Sequence, residues 1–193
     1  MERSLMATGI GGQGIQLAAQ VIARAAIADG RQVMMFGSYG GMMRGGNTDA
    51  TLVIGEGPID TPPVIAECWL GVAMHHEHLA PLVAKLTPTS VLFVNSSVVD
   101  AAVATAASVV PVAATDLAVE VAALVSASMV MVGAVAGATG LLSRRGLEAG
   151  LAEALPSYRT AHHEINTTAL DAGFATGEAL RADHSVPCAW EMG

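Results

Sequence analysis

Near the amino terminus, Gly9-Ile10-Gly11-Gly12-Gln13-Gly14 matches G-x-G-x-x-G at Gly9, Gly11 and Gly14. Glycines at that spacing let backbone N–H groups approach a phosphate at a helix N-terminus, where the dipole favours anions. A dinucleotide site also needs a carboxylate about 20 positions on for the ribose 2′-hydroxyl. The segment there reads Met34-Met35-Phe36-Gly37 and offers none, which leaves a stand-alone NAD(P)-dependent oxidoreductase as the alternative reading only. A second constellation is Ser38-Tyr39-Gly40-Gly41 followed by Arg44-Gly45-Gly46-Asn47. A lone arginine beside paired glycines can set a guanidinium fork and nearby amides on one phosphate or one carboxylate. The plainer reading is an exposed turn, since glycine also serves turns. His75, His76 and His78 with Glu77, and His162-His163 farther on, are metal-ligand types, but they lack His-Glu-x-x-His or another familiar ligand spacing, so no metal site is expected. No Gly-x-Ser-x-Gly elbow is present, and hydrolase chemistry has no support.

These residues need elements to hold them. Residues 4–8 read as a short strand, and Ile15, Ala18, Ala19, Ile22, Ala25 and Ala26 recur at helical spacing, with Asp29-Gly30 as the stop. The glycine turn thus joins a first strand to a first helix. Further strands are predicted over 32–38, 48–55, 68–74, 90–95 and 109–112, with a helix near 76–86. Strands alternating with helices predict an α/β domain with a largely parallel sheet. The last 80 residues or so read as mostly helical. Thr115 and Ser143 are predicted as N-caps, and Asn166 lies on a helix expected to end near Gly173. From Phe174 onward the chain reads as a polar, irregular tail.

Composition narrows the class. With 9 basic and 17 acidic residues the net charge is −8, so nucleic-acid binding is disfavoured. Charged residues make up 13 % of the chain, against roughly 25 % in an ordinary soluble domain. The mean hydropathy is +0.52. Too little charge for a free surface implies apolar faces buried against lipid or other subunits. Residues 121–143 carry no charge and contain Gly133-Ala134-Val135-Ala136-Gly137, a small-xxx-small motif of membrane helices. The segment is rich in Ala, Ser and Gly and has no basic cluster before it, so it is read as protein-buried helix, broken or bent near 133–140, and not as a membrane span. The absence of an export signal and the two isolated thiols, Cys68 and Cys188, make the cytoplasm the expected compartment.

Taken together, Gly9 to Gly14, Phe36-Gly37-Ser38-Tyr39-Gly40 with Met43-Arg44-Gly45-Gly46, and Phe93-Val94-Asn95-Ser96-Ser97 resemble the gamma subunit of 2-oxoacid:ferredoxin oxidoreductases, the 2-oxoglutarate type in particular. The resemblance covers most of residues 4–173 and implies a Rossmann-like fold, a catalytic-domain unit over 1–173 and a tail over 174–193. It implies coenzyme A-dependent oxidative decarboxylation of a 2-oxoacid, in which this chain has no catalytic residue and no cofactor of its own. Thiamine diphosphate, magnesium, iron–sulfur clusters and coenzyme A belong to the complex. The implied partners are alpha-type and thiamine-binding beta-type subunits and a ferredoxin-like iron–sulfur subunit or ferredoxin. The residues expected to face the cofactor sites are Gly9, Gly11, Gly12, Gln13, Gly14, Ser38, Tyr39, Arg44, Gly45, Gly46, Asn47, Asn95 and Ser96, at or near strand ends. Departures from the family pattern are Gly41-Met42 where Pro-Glu is common, Ser128 for an asparagine, and Cys68 for an aspartate.

Overall fold

A computed structural model describes residues 1–39, 46–99, 102–121, 123–155, 160–183 and 186–191. Strand β1 (Glu2–Ile10) is central, and alternation sends Leu5 and Ala7 into one core and Met6 into another on the opposite face. Helix α1 (Ile15–Ala28) buries the predicted stripe together with Val21. It stops where Gly30 takes φ +78° and the Arg31 N–H returns to the Ala26 carbonyl.

Strand β2 (Gln32–Tyr39) and strand β3 (Asn47–Gly55) pair antiparallel, Gln32 opposite Gly55 and Tyr39 opposite Thr48. The connection between them is too short for a parallel crossover, which takes about a dozen residues or more. Strand β3 then pairs antiparallel with β1, while β4 (Cys68–Ala73), β5 (Leu86–Asn95) and β6 (Ser108–Val112) run parallel to it. The order is β2-β3-β1-β4-β5-β6. The sheet is Rossmann-like and mostly parallel, with one antiparallel strand beside β1.

Local differences from expectation have identifiable causes. The segment after β4 forms only a 3-10 turn (His76–His78) and the short helix α2 (Leu79–Val83), because β5 begins at Leu86 and not at 90. Its extra length is absorbed by a register shift between Cys68 and Leu70, where the Ser90 hydroxyl donates to the Cys68 carbonyl. Thr115 is not a cap: it lies inside α3 (Ala114–Val121), and its N–H is taken by the Asn95 side chain. Ser143 does cap α5 (Arg144–Ala154), its Oγ accepting from the Gly146 N–H at 2.9 Å.

The largest correction concerns the C-terminal part. Helix α6 runs from Thr160 to Asp183, straight through Gly173, so the chain after Phe174 is not irregular. Helix α4 (Ala127–Thr139) is buried along its whole length, continues unbroken past Gly133, and ends at Gly140 with φ +66°. Helices α4 and α6 meet through glycine on both sides. A Cβ added at Gly133 would lie 2.2 Å from the Leu170 carbonyl oxygen, and one at Gly137 2.3 Å from that of Phe174. In the other direction, a Cβ at Gly173 would lie 2.0 Å from the Val130 oxygen, and one at Gly177 2.2 Å from that of Ala134. The described end of the chain is tied down as well. The Ala189 N–H donates to the Thr139 carbonyl, Trp190 Nε1 donates to the Leu141 carbonyl, and the Arg31 guanidinium lies 3.5 Å over the Trp190 ring. No described helix is long and apolar enough to cross a membrane.

Because backbone cannot move aside as a side chain can, Gly173→Val should lower unfolding free energy by at least about 3 kcal/mol. Gly57→Ala, whose added methyl meets nothing within 4 Å, should stay within about 0.5 kcal/mol of the parent. Urea denaturation of both variants checks this; equal midpoints would remove the close-contact account.

Candidate functional site

The carboxyl ends of β1, β4 and β5 and the start of α3 open onto one crevice of about 370 Å3. It is lined by Gly12 and Gln13 of the glycine turn, by Met74 and His75 after β4, and by Val98, Thr115, Leu124 and Val125. Leu124 and Val125, in a 3-10 turn (Leu124–Ser126) before α4, are 60 % and 67 % exposed and give the rim an apolar edge. Crevices at this end of an open α/β sheet are where ligands gather.

The glycine turn is built as a close-approach device. Gly12 has φ +103° and Gly14, which caps α1, has φ +78°. A Cβ on Gly9 would lie 2.6 Å from Gln13 Oε1, and one on Gly14 2.7 Å from Ser128 Oγ. Gln13 spends its amide on the turn: Oε1 accepts from the Ile10 N–H at 3.0 Å, and Nε2 donates to the Met74 carbonyl at 3.1 Å. The Gly11 N–H donates to the Gly46 carbonyl at 2.9 Å, so an amide that would cradle a phosphate is already engaged. The strand beside β1 on that side is the antiparallel β3, and β2 carries no carboxylate. Both differences count against the stand-alone NAD(P) reading.

Gly46 and Asn47 sit close to the glycine turn through the same contact and through a polar knot that composition did not reveal. The Thr8 hydroxyl donates to Asp49 Oδ1 at 2.6 Å, and Asn47 Nδ2 donates to Asp49 Oδ2 at 2.7 Å. Gln16 Nε2 adds a bond to the Asp49 carbonyl. Together these fix the start of β3 against β1. Arg44, Gly45 and the side chains of Ser38 and Tyr39 lie outside the described residues, while the backbone of Ser38 and Tyr39 closes β2.

Asn95, fully buried at the end of β5, latches α3: Nδ2 donates to Thr115 Oγ1 at 2.8 Å, and Oδ1 accepts from the Thr115 N–H at 3.3 Å. Ser96 is exposed, and its N–H donates to the Val112 carbonyl. The Asp116 N–H goes to Ser97 Oγ, so the first turn of α3 has donors already capped. Asn95 therefore acts on the crevice through Thr115, which lines it, while neither Asn95 nor Ser96 is part of the lining.

His75 and His76 stack with ring centroids 4.4 Å apart, and with Glu77 they bring three ligand-type atoms within 4.8 Å. His76 and Glu77 are exposed, and His75 Nδ1 already accepts from the Glu77 N–H. Cys68 lies under the opposite face, where burial pushes its thiol up to about 11 against the opposing pull of Lys85. It is a neutral packing residue at ordinary pH.

The model of the pyruvate ferredoxin/flavodoxin oxidoreductase family matches residues 4–176. The 2-oxoglutarate synthase subunit KorC of Methanothermobacter marburgensis is 34 % identical over 181 residues, covering 90 % of this chain and 95 % of the relative. The crystal structure of the keto/oxoacid ferredoxin oxidoreductase gamma subunit from Geobacter sulfurreducens is similar at TM-score 0.80 and 29 % identity, over 93 % of this chain and 98 % of that one. The 2-oxoglutarate:ferredoxin oxidoreductase of Magnetococcus marinus shares the fold at TM-score 0.80 and 18 % identity, over all of this chain and 33 % of that one. With matches over nearly its full length, the chain belongs to the pyruvate ferredoxin/flavodoxin oxidoreductase family.

Proposed function

We propose that this chain is the gamma subunit of a 2-oxoacid:ferredoxin oxidoreductase of the 2-oxoglutarate type, working with alpha-type, thiamine-binding beta-type and ferredoxin-like partners. The observation that carries this reading is the 34 % identity to a 2-oxoglutarate synthase subunit across 95 % of that subunit's length. The reaction joins the acyl group of a 2-oxoacid to coenzyme A, releases carbon dioxide, and passes two electrons singly to ferredoxin. Thiamine diphosphate and iron–sulfur clusters on partner chains supply the decarboxylation and the electron transfer.

This chain's contribution is positional. The crevice and the turn from Ser38 to Asn47 face the catalytic subunits, near the coenzyme A side. The glycine turn, with its Gly11 and Gln13 N–H groups already bonded to Gly46 and Ile10, offers close backbone approach, and Arg44 supplies the charge that a phosphate or carboxylate meets. Thr8, Asn47 and Asp49 hold the root of that turn in place. Helix α6 carries the chain on to Asp183, and Ala189 and Trp190 bond back to Thr139 and Leu141, so the same unit extends beyond residue 173.

In the assembled complex, Arg44→Ala should weaken apparent affinity for coenzyme A by about tenfold or more, the loss of one charge-assisted hydrogen bond. Arg44→Lys should recover only part of it, because an ammonium lacks the planar fork. Normal complex yield with weakened affinity supports a site role, lost yield alone assigns Arg44 to the interface, and normal values of both remove it from function. A second variant tests the direction the crevice faces. Val125→Asp should leave the isolated chain folded by circular dichroism while lowering recovery of the complex on co-purification, since an unpaired carboxylate would be buried at the contact. Undiminished recovery would place the interface elsewhere.

A further inference from the structure

Strand β2 is an edge strand, and among the described residues no other strand lies on its outer side. Edge strands are ordinarily protected from pairing with other chains by charges, prolines or a bulge. From Gln32 to Tyr39 this one has no charged residue and no proline, and it pairs with β3 in unbroken register. Three consecutive apolar side chains are open to solvent: Met34 at 41 %, Met35 at 40 % and Phe36 at 51 %. Because successive residues alternate, the exposed apolar surface wraps both faces of the edge. On the side of Phe36 it continues into Val64, itself 69 % exposed, which lines the same pocket of about 140 Å3.

We propose that β2 pairs antiparallel with β2 of a second copy of this chain, about a two-fold axis through Met35, joining the two sheets into one. The choice of a second copy rests on the strand's own register. A two-fold axis normal to the sheet keeps each face on its own side, so residues of the same face must stand opposite each other. Centred on Met35, the pairing sets Met35 against the partner's Met35 on the α1 side and Met34 against the partner's Phe36 on the other. Every exposed apolar side chain then gains an apolar neighbour. Centred on Phe36, the same strand would set Met34 against a serine, and a partner strand with charges would meet no complement. Cross-strand pairs of this kind are the unit of sheet stabilisation, and the absence of charge in the strand removes the repulsion that ordinarily prevents self-pairing. The pairing rests on the strand alone, and only the cross-link in the assembled complex assumes the gamma-subunit reading.

The test uses the full chain and the assembled complex. Sedimentation equilibrium should give twice the 19.5 kDa of one chain. Met35→Glu, which sets two carboxylates opposite each other on the axis, should return the mass of a single chain. In a Cys188→Ser background, Met35→Cys should join two chains on mild oxidation or with a short bis-thiol reagent. Gln32→Cys, at the exposed end of the strand and far from its own copy in this register, should not. The complex carrying Met35→Cys should show the same gamma-to-gamma cross-link. A full chain that remains monomeric, cross-linking at Gln32 as readily as at Met35, or a cross-link from Met35 to a different subunit would overturn the proposal. If Met35→Glu fails to fold, the cysteine pair decides alone.

Discussion

Where α4 crosses α6, backbone rests directly on backbone, and the rest of the domain is arranged around that contact. Gly133 and Gly137 on one helix and Gly173 and Gly177 on the other leave no room for a Cβ, so the helices approach more closely than side chains would allow. Helix α4 is then enclosed along its full length, with the sheet on one side and α6 on the other. A helix with no solvent face needs no charged residue, which accounts for a small part of the charge deficit. Its amino-terminal end, at Ala127, is also a wall of the crevice. The site's shape therefore depends on how closely α6 holds α4 to the sheet.

The two faces of the sheet are covered unequally. One carries α1 and α3 to α6 over a large core, whereas among the described residues the other is covered by α2 and by loop residues such as Ile59, Ile65 and Val103 over a small one. Exposed apolar side chains gather most closely at the rim of the crevice, Leu124 and Val125, and along the edge from Met34 to Phe36. An average over the chain could signal that apolar surface was in excess, but only the fold separates the part absorbed inside α4 from the part still facing outward.

What was legible in the sequence followed from local rules. The stripe of α1, its glycine stop, the Ser143 cap and the glycine turn between β1 and α1 each depend on a few neighbouring residues, and each appears as read. Readings failed where a glycine had two physical uses. Glycine commonly ends helices, which predicts a stop at Gly173, yet Gly173 lies mid-helix, where the Val130 backbone presses against it. Its partner motif, Gly173-Phe174-Ala175-Thr176-Gly177, has the same spacing as the one noticed at Gly133 and Gly137. Pairing the two motifs was the available signal for the α4–α6 contact. The Thr8–Asn47–Asp49 knot gave no such signal, since its members join only after β3 is known to lie against β1.

The glycine turn shows how one sequence pattern can keep its geometry and change its use. In a dinucleotide fold the turn's amides point outward to a pyrophosphate, and a carboxylate on the neighbouring strand holds the ribose. Here the Gly11 amide is given to Gly46, Gln13 closes the turn on Ile10 and Met74, and the inserted antiparallel β3 moves β2 away from β1. The Gly11 bond cannot be surrendered to a ligand without releasing Gly46, the residue that leads into β3. The crevice is consequently rigid at its floor and apolar at its rim. With the Gly11 N–H and the Gln13 amide engaged, the rest of the lining includes the apolar rim of Leu124 and Val125 together with His75 and Thr115.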